Sequence, residues 1–187
     1  MGRCVETRFA GARCDYNGRV AADLTRNRKA TSMFNQHSTA AAKSELDHLA
    51  AEFFHAVSFE SGEAPTYQKI YALFIETGLL IKNSGPTPEI ASVRQFIEPR
   101  QATVSAGELT RFKEAELSET TEIFGNVAHR FSVYTKSGSL NGADFEARGM
   151  ISTQFILTPG GWRMSAMAWD DERPGLSLPD RKDQRAA

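Results

Sequence analysis

Glu122 and His129 flank the dipeptide Gly125-Asn126 at equal distance in the stretch EIFGNVAH. A Gly-first pair between two apolar runs suits a two-residue hairpin turn. Closing the chain on it sets Phe124 opposite Val127, Glu122 opposite His129 and Thr120 opposite Phe131. A carboxylate beside an imidazole can hold the ring in one tautomer and tune it toward general-base work. The apolar set Phe124, Val127, Phe131 and Val133 reads as the core side of the hairpin, which would carry Glu122 and His129 inward. His129 is therefore the candidate base and Glu122 its orienting acid; a structural acid–imidazole pair is the other reading of the same residues.

Further groups could contact a ligand. Tyr67 sits on a short helical stretch and can turn its hydroxyl into a cavity or leave it at the rim. Asp170 opens the run Asp170-Asp171-Glu172, which could ring a pocket mouth or be a charged strand exit before Arg173-Pro174-Gly175. His48, Glu52 and His55 share one helix stripe, a spacing at which His and Glu can bind metal. The stripe lacks supporting partners and reads as a solvated flank, so no metal is assigned. GxSxG, P-loop and dinucleotide patterns are absent, and no cofactor is expected.

These groups need elements to hold them. Residues 1–43 scatter Arg3, Arg8, Arg13, Arg19, Arg26, Arg28 and Lys29 without periodicity and read as a basic, disordered extension, with Met33 as an alternative start. The ordered domain is expected over residues 44–175, followed by a polar tail over 176–187. Ser44 and Asp47 resemble a capping box ahead of Leu46, Leu49, Ala50, Phe53 and Val57, which form one apolar helix face. A short helix follows over 67–73, and LFIETGLLIKNSG reads as a strand pair or a bent strand. Thr87-Pro88-Glu89 and Ser92 to Gln95 both offer a start for a third helix, with Pro99 as a kink and Gly107 as a stop. Strands then follow over 116–124, 127–134, 146–157 and 162–170. Helices first and an antiparallel meander afterwards give an α+β domain with helices on one sheet face.

Trp162 and Trp169 lie an odd number of residues apart, so on an uninterrupted strand they face opposite sides. Closing the last hairpin pairs Leu157 with Trp162, Phe155 with Met164, Thr153 with Ala166 and Ile151 with Ala168 on an apolar face. Ala166 and Ala168 leave room there for a pocket, so Thr153, Phe155 and Trp162 are expected at a ligand, with Tyr67 and Asp170. The other face, with Gln154, Met167 and Trp169 among polar groups, resembles a protein interface and is expected to meet a second copy of the chain.

The formal net charge of −1 argues against a surface-wide nucleic-acid site. No apolar run reaches the roughly 18 residues that span a membrane, and no secretory leader is evident. Neither nucleic acid nor membrane is an expected partner, and the cytoplasm is the expected location. Cys4 and Cys14 lie outside any CxxC arrangement and are expected as free thiols.

The capped first helix, ALFIETGLLIKNSG, EIFGNVAHRF and GGWRMSAMAW together resemble the nuclear transport factor 2-like superfamily, in its SnoaL-like, polyketide-cyclase-like branch. The resemblance spans about Ser44 to Trp169. It implies a cone of curved antiparallel sheet wrapped around the N-terminal helices, a homodimer through the convex face, and an apolar pocket for a hydrophobic small molecule. It also implies a choice between isomerase, cyclase or dehydratase chemistry on an apolar carbonyl compound and a non-catalytic binding or assembly module, because fold does not select activity. The steroid isomerases of this superfamily carry a base before the Gly that closes the early strand. Here that stretch is Ile81-Lys82-Asn83-Ser84-Gly85, without the base, and their helix-borne tyrosine is replaced by Phe53, Phe54 and His55.

Overall fold

In the computed structural model, residues 39–179 are described. Cys4, Cys14, Met33 and the basic run from Arg3 to Lys29 lie outside the described residues, as does the end of the polar tail. Helix α1 (Thr39–Val57) begins five residues ahead of Ser44, which is an exposed position within it. It buries Ala42, Leu46, Leu49, Ala50, Phe53, Phe54 and Val57, the single apolar stripe that helical spacing of these residues dictates. A 3-10 turn (Tyr67–Lys69) leads into α2 (Ile70–Leu73). Helix α3 (Val93–Ser105) starts at a full capping box, with Gln95 N–H donating to Ser92 Oγ at 3.3 Å and Ser92 N–H to Gln95 Oε1 at 2.9 Å. Pro99 lies inside this helix, and the chain leaves it through Gly107 at φ 74°, a left-handed position that glycine adopts without strain.

Six strands form one sheet in the order β2-β1-β6-β5-β4-β3. They are β1 (Phe74–Lys82), β2 (Glu89–Ser92), β3 (Leu109–Phe124), β4 (Val127–Leu140), β5 (Ala143–Thr158) and β6 (Gly161–Asp171). β3 to β6 make the expected antiparallel meander, whereas β1 joins β6 in parallel, so the sheet is mixed. The β4–β5 turn is Asn141-Gly142, with φ of 53° and 77°, the type I′ chemistry that closes a tight hairpin. The architecture is α+β, with the core between the helices and one sheet face. Phe53 packs edge-on against Phe54 and Phe74 at ring separations of 5.9 and 6.3 Å, while Phe155, Trp162 and Met164 close the sheet side.

Two single-residue insertions decide which side chains reach that core. On β6, Met164 pairs with Phe155 and Ala166 with Gln154, so Ser165 is an extra residue. A bulge of this kind reverses the alternation beyond it. Trp162 and Met164 face the helices before the bulge, and Met167 and Trp169 face them after it. The expectation that Met167 and Trp169 form an outward interface with Gln154 is therefore corrected: Met167 is buried, Trp169 packs edge-on against Phe96 at 6.1 Å, and only Gln154 is on the outer face. On β3, Glu116 pairs with Tyr134 and Ser118 with Val133, so Leu117 is extra and the alternation again reverses.

The first hairpin keeps the expected register, with Phe124 opposite Val127 and Glu122 opposite His129, but its faces are inverted. Phe124, Val127 and Phe131 are 86%, 53% and 44% exposed, while Ala128, Arg130, Ser132 and Tyr134 are buried. The cause is a saturated polar cluster on the inner face. The Arg130 guanidinium is held by both carboxylate oxygens of Glu116 at 2.9 and 2.6 Å and by Asp47 of α1 at 2.6 Å. Ser132 donates to Glu116 at 2.6 Å, and Lys43 pairs with Asp47 and Glu119. Burial opposes the charge on Arg130, but the hydrogen bonds to Glu116 and Asp47 more than reverse this and hold the cation. A buried charge is tolerated only when paired in this way.

Deleting Ser165 should turn Met167 and Trp169 out of the core and lower unfolding free energy by more than about 4 kcal/mol. Ser165→Ala, which keeps the residue count, should cost no more than about 1 kcal/mol. Denaturant unfolding of the two variants checks this, and equal losses would contradict the role given to the bulge.

Candidate active site in the sheet cavity

Beyond the two bulges the inner face and the helices part around a partly open cavity of about 350 Å³. Phe53 and Val57 of α1, Phe96 and Arg100 of α3, and Met167 and Trp169 of β6 supply much of its wall, with Tyr67 from the 3-10 turn. The polar floor comes from a cross-strand pair, Glu114 of β3 and Lys136 of β4. The Leu117 bulge puts Glu114 there, since without it the carboxyl would point to the outer face. The chain leaving α1 fixes Glu114 in place. Ser58 Oγ donates to Phe54 O at 2.7 Å and accepts from Glu114 N–H at 3.0 Å, and Phe59 and Phe112 exchange backbone bonds at 2.7 and 3.1 Å.

Lys136 Nζ donates to the Asp171 carboxylate at 2.9 Å, and the Tyr134 hydroxyl also donates to Asp171. Tyr134, Gly149 and Asp171 are register partners across three strands. A Cβ on Gly149 would stand 2.1 Å from Asp170 O and 2.9 Å from the Tyr134 ring, so the bare backbone there lets the tyrosine reach across. Burial raises Asp171, but bonds from Lys136 and Tyr134 bring it below its usual range. Burial and the Asp171 hydrogen bond push the Tyr134 hydroxyl up.

Glu114 titrates differently. Its carboxyl meets the cavity interior, not bulk water, and burial pushes it up to about 7 against the pull of Lys136 and Arg100, with Asp171 adding to the rise. Lys136 is shared between Asp171 and Glu114, and its attraction to Glu114 does not offset burial. Tyr67, also raised by burial, has its hydroxyl influenced by Arg100 and Glu114. A carboxyl that gains and loses its proton near neutrality, beside a tyrosine in an apolar cavity, can act as a general base or acid.

Of the residues expected from sequence to meet a ligand, Tyr67 lines the cavity. Thr153, Phe155 and Trp162 face inward but are packed into the core. Asp170 lies one residue away from the role, hydrogen-bonded to Arg173 on the outer side, while Asp171 takes the inner position. Glu122 and His129 are paired on the outer face, where His129 Nε2 lies 3.1 Å from Ser152 Oγ and its ring stacks near Phe131. They are not at the cavity. His48 and His55 are exposed on α1 and Glu52 pairs with Lys69 at 3.9 Å; among the described residues no group of three or more His, Cys, Asp or Glu is placed to hold a metal. Among the described residues no helix is long and apolar enough to cross a membrane.

No protein-family model matches the chain, and no curated protein sequence matches it. Solved structures do. A nuclear transport factor 2-like superfamily protein from Salmonella enterica serovar Typhimurium is 15% identical with a TM-score of 0.61, covering 76% of this chain and 100% of its own. A candidate aromatic ring hydroxylase from Novosphingobium aromaticivorans is 17% identical with a TM-score of 0.59, covering 72% and 92%. A candidate calcium/calmodulin-dependent protein kinase II association domain from Xanthomonas campestris is 15% identical with a TM-score of 0.52, covering 68% and 86%. At such identities the likeness establishes the fold.

Because Glu114 holds its proton above the range of an unfolded carboxyl, stability should fall as pH rises from about 4.5 through about 7 and then level off. Below about 4.5 the group is protonated in both states and contributes nothing. Glu114→Gln should remove this slope, a difference of roughly 3 kcal/mol between pH 4 and pH 8. Chemical unfolding of both proteins across that range checks it; parallel curves would contradict the raised carboxyl.

Proposed function

We propose, with the nuclear transport factor 2-like fold as premise, that the cavity binds an apolar carbonyl compound and moves a proton on it, with Glu114 as general base and acid. The observation that carries this reading is a carboxyl raised to about 7 on the wall of an otherwise largely apolar cavity. Ionised Glu114 takes a proton from the carbon beside the carbonyl; the electron pair of that C–H bond forms the C=C bond of the enolate, and the π pair of the C=O bond moves onto oxygen. The Tyr67 hydroxyl donates a hydrogen bond to the resulting enolate. Glu114 then returns the proton to the same carbon or to a conjugated one, which makes the net reaction exchange or isomerisation. His129, the base expected from sequence, gives up that role because it is on the outer face.

The test is loss of the α-proton signals of 2-tetralone in D2O, followed by proton NMR. Catalysed exchange should rise with pH through about 7 as Glu114 ionises and fall by about 100-fold or more in Glu114→Gln, while His129→Ala exchanges like wild type. Wild-type rates in Glu114→Gln would remove the carboxyl from the mechanism.

The outer face supports a homodimer, although through other residues than those expected. Exposed Phe124, Val127 and Phe131 lie together on the β3–β4 hairpin, and adjacent exposed aromatics of this kind mark association surfaces. A second copy of the chain against this face should be lost in Phe124→Glu, with the mass by light scattering falling from two chains to one; a wild-type chain that is already single would sink this reading.

A further inference from the structure

Four cations and carboxylates around the cavity are already matched: Lys136 with Asp171 at 2.9 Å and Lys82 with Glu89 at 3.2 Å. Arg100 is not. Its Cζ lies 3.6 Å over the face of Phe96, and Nη1 donates to Phe96 O at 2.9 Å. These two contacts fix the plane of the guanidinium on the cavity wall. A guanidinium has five N–H donors, and among the described residues no carboxylate lies within ion-pair distance of this one. Arg130, enclosed by Glu116, Asp47 and Glu119, is what a satisfied buried arginine looks like in the same protein.

We infer that the ligand carries a carboxylate that docks on Arg100, so that the substrate class is an apolar carboxylic acid bearing the carbonyl group. This rests on the cavity being the functional site. The planar fork suits a carboxylate, and a partly buried cation left without an anion favours a ligand that brings one. Charge balance sets the number of anionic groups. Below about pH 7, where Glu114 holds its proton and the two lysines are neutralised by their partners, the cavity carries the single positive charge of Arg100, which one carboxylate cancels; ionisation of Glu114 for the proton transfer then works against the bound anion. A phosphate dianion would need a second unpaired cation, and both lysines are engaged. The apolar remainder of the wall, with Phe53, Phe112, Phe145 and Trp169, fits a hydrocarbon or aromatic body of modest size.

The test is calorimetric titration of the full chain at pH 6 with two probes of nearly equal shape, 3-phenylpropanoate and its neutral amide. Wild type should bind the acid at least 10-fold more tightly than the amide. Arg100→Met should abolish this preference. Arg100→Lys, which keeps the charge and stem but loses the fork, should weaken the acid several-fold and leave the amide unchanged. Equal affinity for acid and amide in wild type, or unchanged acid affinity in both Arg100 variants, overturns the carboxylate assignment while the cavity reading survives. Binding of neither probe overturns both.

Discussion

Side chains along a strand alternate strictly between faces, and one inserted residue reverses every side chain beyond it. The site depends on two such reversals. Leu117 on β3 turns Glu114 and Phe112 inward, and Ser165 on β6 turns Met167, Trp169 and Asp171 inward. Before the bulges the inner face is packed solid by Phe155, Trp162 and Met164 on one side and sealed by the Arg130 cluster on the other. Past them it lines the open part of the fold. The bulges thus separate a closed half of the sheet, which holds the protein together, from an open half, which carries its chemistry.

The two halves handle charge in opposite ways. Around Arg130 each charge has its partners: the guanidinium touches three carboxylates, and burial of Asp47 and Glu119 is outweighed by bonds from Lys43, Arg130 and Thr121. Both acids are held below their usual range, a pattern expected of groups that secure α1 to the sheet. In the cavity the pairing stops short. Asp171 satisfies Lys136 and Tyr134, yet the Glu114 carboxyl and the Arg100 guanidinium share only longer-range attraction. Unfinished pairing leaves a proton mobile on Glu114 and a cation available on Arg100, which is the condition a binding or proton-transfer site requires.

Much of this was legible in the chain. The stripe from Leu46 to Val57, the Ser92–Gln95 cap, the Gly107 stop, the register of the first hairpin and the Leu157–Trp162 and Phe155–Met164 pairs of the last follow from spacing and turn chemistry, whereas beyond the Ser165 bulge Thr153 pairs with Met167 and Ile151 with Trp169 in place of the expected Ala166 and Ala168. Asn141-Gly142 also announces its hairpin and carries β4 and β5 to their full length, which puts Lys136 on β4 opposite Ala147, but an uninterrupted first hairpin would set Lys136 against Ala115, and only the Leu117 bulge brings Glu114 opposite it. The bulges leave no comparable mark: Leu117 and Ser165 are ordinary strand residues, and an odd Trp162–Trp169 spacing fits an outward tryptophan as well as a reversed strand. The inverted first hairpin has a different cause. Its apolar residues are the exposed ones, and its buried row contains Arg130 and Ser132, stabilised by carboxylates from α1 and β3 that lie far apart in sequence. Polarity alone reads such a strand backwards, and with it the placement of His129.

Proton transfer in the cavity depends on the carboxyl of Glu114. Selective 13C labelling of glutamate side chains, with Glu114→Gln used to assign the resonance, allows the Glu114 carboxyl to be titrated directly by NMR. The expected midpoint is near 7, well above the range of a free glutamate. A midpoint near 4.5, the ordinary glutamate value, would mean that the cavity does not desolvate Glu114, and the proton-transfer reading would fall with it.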